Sequence, residues 1–231
     1  MRPTCLVLAL TLLATSVEAA PIPLRDLSGL ILGGASDLLG LDDFLAESPP
    51  AALPLTGSAA TGATTASATV DSGSIEVSTA VDGFAAADAS GLLEAAFDGL
   101  AADTVLSVVL DLDYSGLGAA GALVDVAGDL LLAVSVNGSP VVIDALVLGT
   151  DALVTTIVRD FTMPAGGVGG VSVFLGTALF GFGPGSVDAV SARATLSIER
   201  ADAVVPAPGT LALALAGMGL VGVGRARGMR P

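Results

Sequence analysis

Between residues 105 and 114, apolar and polar side chains alternate with a period of two. Leu106, Val108, Leu110, Leu112 and Tyr114 share one side, and Val105, Ser107, Val109, Asp111 and Asp113 share the other. This is the signature of a half-buried strand. The alternation returns with Ala192, Ala194, Leu196 and Ile198 set against Arg193, Thr195, Ser197 and Glu199. Residues 130–136 and 141–148 flank Asn137-Gly138-Ser139-Pro140, which predicts a hairpin turn. Residues 153–161 predict a further strand, with Arg159 and Asp160 near its end. Only residues 90–100 have helical spacing, with Leu92, Leu93, Ala96, Phe97 and Leu100 on one side. Many short strands separated by Gly and Asp-Gly turns predict a mainly β protein. The expected architecture is an antiparallel β-sandwich or jelly-roll-like domain over residues 70–203, with one or two short helices.

Elsewhere the pattern is less regular. In the N-terminal segment, residues 20–47, Leu alternates with Gly and Asp; Ser36 is placed to cap a short helix through Phe44 and Leu45, with Asp37 near its positive end. Residues 48–69 are Pro, Ala, Gly, Ser and Thr with hardly another residue type, which predicts a flexible linker. Within it, Leu53-Pro54-Leu55-Thr56-Gly57 matches the letters of the LPxTG signal of Gram-positive sortases. That signal belongs near a C-terminus, before an apolar span and basic residues, so here it reads as coincidence. Residues 161–187 carry no charge, and hydropathy alone would allow a membrane span over 166–183. The glycines of that window, Pro164 and Pro184 at its edges and the β-branched alternation at 171–174 favour buried strands instead. Gly166 to Gly170 has no following Lys and helix, which sets aside a phosphate loop; it reads as a flexible turn.

Composition narrows the chemistry. There is no His, and the single cysteine, Cys5, lies at the extreme N-terminus. Zinc sites, Ser-His-Asp triads and thiol nucleophiles are therefore not expected in the body of the chain. No cofactor is expected either, and no enzymatic activity. Residues 20–205 carry four Arg against 22 acids, a net charge of −18, and such a surface repels phosphate backbones, which argues against nucleic acid. Asp111 and Asp113 share a strand face and could serve Ca2+ binding or glycoside hydrolysis, but a solvated strand face explains them as well. Other acids, such as Asp125 and Asp129, are expected at turns. With no Trp and one Tyr, a stacking platform for sugars is hard to build.

Both ends carry the patterns expected of targeting signals. Met1-Arg2 gives a positive start, residues 6–13 an uncharged apolar core, and Val17-Glu18-Ala19 a cleavage pattern, so a signal peptide over residues 1–19 is expected, cut between Ala19 and Ala20. At the other end, Pro206-Ala207-Pro208-Gly209-Thr210 precedes an uncharged run over 211–224, followed by Arg225, Arg227 and Arg230. As a helix, residues 209–224 would span ~24 Å, somewhat short of a hydrocarbon core of ~30 Å. The Arg excess would hold its end in the cytoplasm.

Residues 204–231 resemble the PEP-CTERM sorting signal of Gram-negative bacteria, on the strength of Pro206, Pro208, Gly209, Thr210, Leu211, Ala212 and Leu213 and the Arg-rich end. Ala207 stands where that family has Glu, and the Arg cluster is interrupted. The resemblance implies export, a C-terminal transmembrane helix anchored in the inner membrane with the body facing the periplasm, and processing by an exosortase-like enzyme, with release to the cell surface or matrix. The partners it implies are signal peptidase and the secretion machinery, the exosortase-like enzyme, the inner membrane and, more loosely, exopolysaccharide. The role expected for the body is structural or interactive and non-enzymatic; a module that binds or hydrolyses envelope polysaccharide is the alternative.

Overall fold

The computed structural model describes residues 21–48, 52–117 and 124–201, and within them ten strands follow one another. They are β1 (Arg25–Asp37), β2 (Leu41–Ser48), β3 (Leu55–Thr61), β4 (Thr64–Asp71), β5 (Ser74–Asp98), β6 (Thr104–Tyr114), β7 (Val124–Val136), β8 (Ser139–Leu148), β9 (Leu153–Met163) and β10 (Val168–Arg200). All pairings are antiparallel, and the signals expected at the two ends of the chain lie outside the described residues.

The hydrogen-bonded network is continuous but folds over on itself at β5 and β10, giving two six-stranded layers. The first runs β2–β1–β5–β10–β7–β8, using the C-terminal half of β5 and the N-terminal half of β10. The second runs β3–β4–β5–β10–β6–β9, using the other halves. β1 packs on β3 and β4 and β2 on β3, face to face. This is the aligned sandwich arrangement, in which inward side chains of two twisted sheets form one core.

The crossing from layer to layer has a local cause. Phe182 pairs with Phe84 and Val187 with Asp82, so residues 183–186 of β10 oppose Gly83 alone. Gly83 (φ 79°) and Gly185 (φ 88°) take backbone conformations closed to most L side chains. The excess bends the strand, as bulges do, and flips its parity: Leu175 and Leu179 point inward before it, and Val190, Ala192 and Ala194 after it. The Gly183 amide donates to the buried Ser186 hydroxyl at 3.1 Å inside the bend.

The core joins both layers. Leu106, Val108, Leu110, Leu112 and Tyr114 are all buried, as the alternation predicts. Phe97 of the first layer meets Phe161 of the second edge to face, with centroids 5.9 Å apart. Thr79 and Thr177 place their hydroxyls 3.5 Å apart across the same core. Several strand glycines make room for rings. A Cβ on Gly169 would lie 2.1 Å from the Phe97 ring, and Cβ atoms on Gly33 and Gly57 would lie 2.7 and 2.4 Å from that of Phe44. The hairpin at Asn137-Gly138 forms as expected, with φ of 50° and 79° at its two turn residues.

Four expectations are corrected. Residues 90–100 are not helical: residues 90–98 belong to β5, with Leu93, Ala95 and Phe97 inward and Leu92, Glu94 and Ala96 outward. No helix caps at Ser36. β1 ends at Asp37, whose carboxylate accepts from the amides of Leu39 and Gly40 at 2.6 and 2.9 Å, turning the chain into β2. The stretch read as a linker holds the β3–β4 hairpin, whose Ser, Thr and Ala side chains are small enough for close sheet packing. Gly169 and Gly170 lie within β10, and only Gly166, at φ 65°, and Gly167, whose amide donates to the Pro164 carbonyl at 2.9 Å, form the turn. The uncharged stretch from 168 onward is strand, and among the described residues no helix is long and apolar enough to cross a membrane.

Candidate functional site

The two outer faces of the sandwich differ in chemistry, and the polar one holds the acids singled out from the sequence. β6, between β10 and β9, turns its odd-numbered residues outward. Asp111 stands across from Thr195 on one side and Thr156 on the other, and Asp113 across from Arg193 and Val154. The Thr156 hydroxyl donates to Asp111 Oδ1 at 2.5 Å. These residues line an open depression of about 210 Å³.

On its other flank, Arg193 stands across from Glu76 of β5, which continues through Thr69 of β4 to Thr56 of β3. One transverse row thus reads Thr56, Thr69, Glu76, Arg193, Asp113. The next reads Ser58, Ser67, Ser78, Ser191, and the Ser191 amide donates to the Ser115 hydroxyl at 2.9 Å. Arg25 and Arg159 are ion-paired with Asp98 and Asp144, whereas Arg193 has no ion-pair partner among the described residues. Its guanidinium offers up to five donors, flanked by carboxylates that only accept and hydroxyls that do both. This surface can hydrogen-bond a partner laid flat across it.

Sequence reasoning picked out Asp111 and Asp113 but neither Arg193 nor Thr156 as their neighbours. The outward position of Arg193 was legible; its register against Asp113 was not, because a long stretch of chain separates them. Asp125 and Asp129, expected at turns, lie on the outer face of β7. Among the described residues no group of three or more His, Cys, Asp or Glu is placed to hold a metal ion. Residues Ala19, Ala20, Pro206, Pro208, Gly209, Thr210, Arg225, Arg227 and Arg230 lie outside the described residues.

The opposite outer face is apolar at its centre. Leu30, Leu92, Phe174 and Leu131 form a row across four strands, and Leu45 and Leu32 begin the next. Leu32, Leu45, Phe84, Leu131, Phe180 and Phe182 are exposed there. Phe174 leans over Gly176, whose added Cβ would lie 3.1 Å from the ring, beside a depression of about 200 Å³ flanked by Asp88 and Asp129. Partial burial pushes the Asp88 carboxyl above the usual carboxylate range.

No family model matches the chain, and no curated protein matches it. Among solved structures, the chain is similar to TmCBM61 in complex with beta-1,4-galactotriose (12% identity over 55% of this chain and 70% of that chain, TM-score 0.27). It is also similar to the adhesin domain of Epf from Streptococcus pyogenes (10% identity over 78% of this chain and 64% of that chain, TM-score 0.32).

Proposed function

We propose that the protein is an exported, membrane-anchored surface or extracellular-matrix protein of a Gram-negative envelope, whose sandwich is a non-enzymatic interaction domain. The observation that carries the interaction role is the open polar face, where Asp111, Asp113, Glu76 and an Arg193 without an ion-pair partner among the described residues stand among rows of Ser and Thr. Export, anchoring and exosortase-like processing rest on residues 1–19 and 204–231 alone. The test of that part is cell fractionation of the wild type, of a truncation after Val205, and of a variant with Arg225, Arg227 and Arg230 made neutral. The wild type should fractionate with the inner membrane or, once processed, with the cell surface, and the truncation should be soluble in the periplasm. Loss of the three Arg should weaken retention. A truncation that stays with the inner membrane refutes the anchor.

A second reading, recognition of envelope polysaccharide, is favoured by the Arg193 neighbourhood. A neutral polyol can bridge a guanidinium donor and flanking carboxylate acceptors, whereas a polyanion would meet a net negative site. Binding fits the geometry better than hydrolysis. Asp111 and Asp113 project from one strand onto one open face, while glycoside hydrolysis needs carboxyl groups flanking the scissile bond. Arg193→Ala should abolish retention on a neutral exopolysaccharide column without loss of the far-UV strand signal. Unchanged retention would remove this site from consideration.

A further inference from the structure

A two-layer sandwich has four edge strands, here β2 and β8 in one layer and β3 and β9 in the other. An edge presents unpaired main-chain N–H and C=O groups to any other strand, and proteins ordinarily block it with charge, shortness or covering side chains. Three of these edges are blocked. β2 carries Asp42, Asp43 and Glu47. β3 is seven residues long, and its Ala60 amide donates to the Asp42 carboxylate at 2.8 Å. On β9, the Arg159 guanidinium donates to the Val158 carbonyl at 2.9 Å.

β8 carries such devices only at its start, where Pro140 has no amide proton to offer and Val141 is the extra residue of a bulge against β7. Beyond Pro140 it reads Val-Val-Ile-Asp-Ala-Leu-Val-Leu, and among the described residues it pairs only with β7. Val141, Ile143 and Val147 point outward and are 46%, 70% and 78% exposed, continuing the apolar face of Leu131 and Phe174 to the rim. Its one charge, Asp144, points into the sandwich. An inward charge usually blunts an edge, but Arg159 reaches across from β9 and neutralises it, with Nε and Nη2 at 2.7 and 3.3 Å from its two oxygens.

We propose that β8 is the self-association edge of this protein. Two copies pair β8 with β8 antiparallel about a twofold axis and merge their six-stranded layers into one. A second copy is the occupant this edge itself fits, because antiparallel pairing about a twofold axis sets the same main-chain groups and the same apolar row against each other where the least charge is brought together. In a body of net −18, most surfaces of two copies repel each other, whereas β8 brings only an internally paired Asp144 and a row of β-branched apolar side chains. The pairing would also join the two apolar faces side by side. It does not depend on the polysaccharide reading, which concerns the other layer.

The test is sedimentation of the full chain in detergent micelles as wild type, as Ile143→Lys/Val147→Lys and as Leu45→Lys, with circular dichroism on each. The wild type should dimerise. Four lysines brought together on one seam should weaken the dimer roughly a hundredfold, since like charges juxtaposed at an interface cost several kcal/mol. Leu45→Lys, on the blocked edge β2, should leave it unchanged. If the double variant fails to fold, disulfide trapping decides: in a Cys5→Ser background, Cys introduced singly at Ile143, Ala145 or Val147, or in pairs at Ile143 and Ala145 or at Ala145 and Val147, should yield a covalent dimer in at least one of the five variants. A monomeric wild type, a dimer that survives the double Lys variant or is lost in Leu45→Lys, or no cross-link in any of the five variants would overturn the proposal.

Discussion

Tyr114 is the only tyrosine of a chain without tryptophan, so its near-ultraviolet absorbance reports one site. Its ring closes the inner row of β6 at 1% exposure, and its hydroxyl donates to the Gly149 carbonyl at 2.6 Å, tying the β8–β9 connection to the core. Burial pushes the phenol above its ordinary value of 10.0, because the phenolate would lose hydration. The native state therefore holds this proton more tightly than the unfolded chain does. The stability this contributes is fully present below pH 10 and is lost as pH rises through the native value. Ionisation should accordingly coincide with loss of the strand signal rather than precede it. At neutral pH, Tyr114→Phe removes one hydrogen bond and orphans the Gly149 carbonyl, a cost of about 1–2 kcal/mol. For a domain of this size that lowers the melting temperature by roughly 2–8 °C. The assay is alkaline titration with tyrosinate absorbance and circular dichroism in one cuvette, followed by urea unfolding of Tyr114→Phe at neutral pH. If Tyr114 ionises at its ordinary value while the strand signal persists, or if Tyr114→Phe is as stable as the wild type, the inner face of β6 is misassigned.

Gly181→Ala would place a Cβ 2.2 Å from the Gly83 carbonyl oxygen, backbone against backbone at the layer crossing, and should destabilise by about 2–4 kcal/mol in urea unfolding. Gly138→Ala meets nothing within 4 Å and has only its φ of 79° to oppose it, so the same measurement should give a cost of about 1 kcal/mol. Phe97→Ala removes the ring that joins the two layers and fills the space above Gly169, and should cost about 3–5 kcal/mol in the same assay.

How much of this was legible from sequence follows from the chemistry of the two outer faces. In the second layer the outer face is polar, so β6 and the end of β10 alternate visibly: Asp111 and Asp113 sit between buried leucines, and Arg193 and Thr195 between buried Ala192, Ala194 and Leu196. Those strands and their inward residues were read correctly. In the first layer both faces are apolar. Leu92 and Leu93 are neighbours on opposite sides of β5, and Leu131 and Leu132 on opposite sides of β7. A period of two then disappears from the hydropathy, and a run such as Leu92, Leu93, Ala96, Phe97 imitates a helix, just as residues 166–183 imitate a span.

Glycine misled in the same direction. Gly169 reads from sequence as part of a turn, yet it, like Gly33, lies in a strand opposite an aromatic ring that needs the missing Cβ. Gly169 and Phe97 are far apart in sequence, so their pairing is visible only once register is known, and the same holds for Arg193 against Asp113. The features that hid the first layer from a sequence reading also bear on its use. A sheet whose alternation is erased by outward Leu, Phe and Val has a face that water does not favour, and exposed apolar patches of that kind mark surfaces meant to be covered. The polar layer, by contrast, can stay solvated until a hydrogen-bonding partner arrives. One sandwich therefore presents two chemically distinct outer faces, and β8, at the rim of the apolar one, is where a further strand could extend the sheet with its one charge, Asp144, already paired to Arg159.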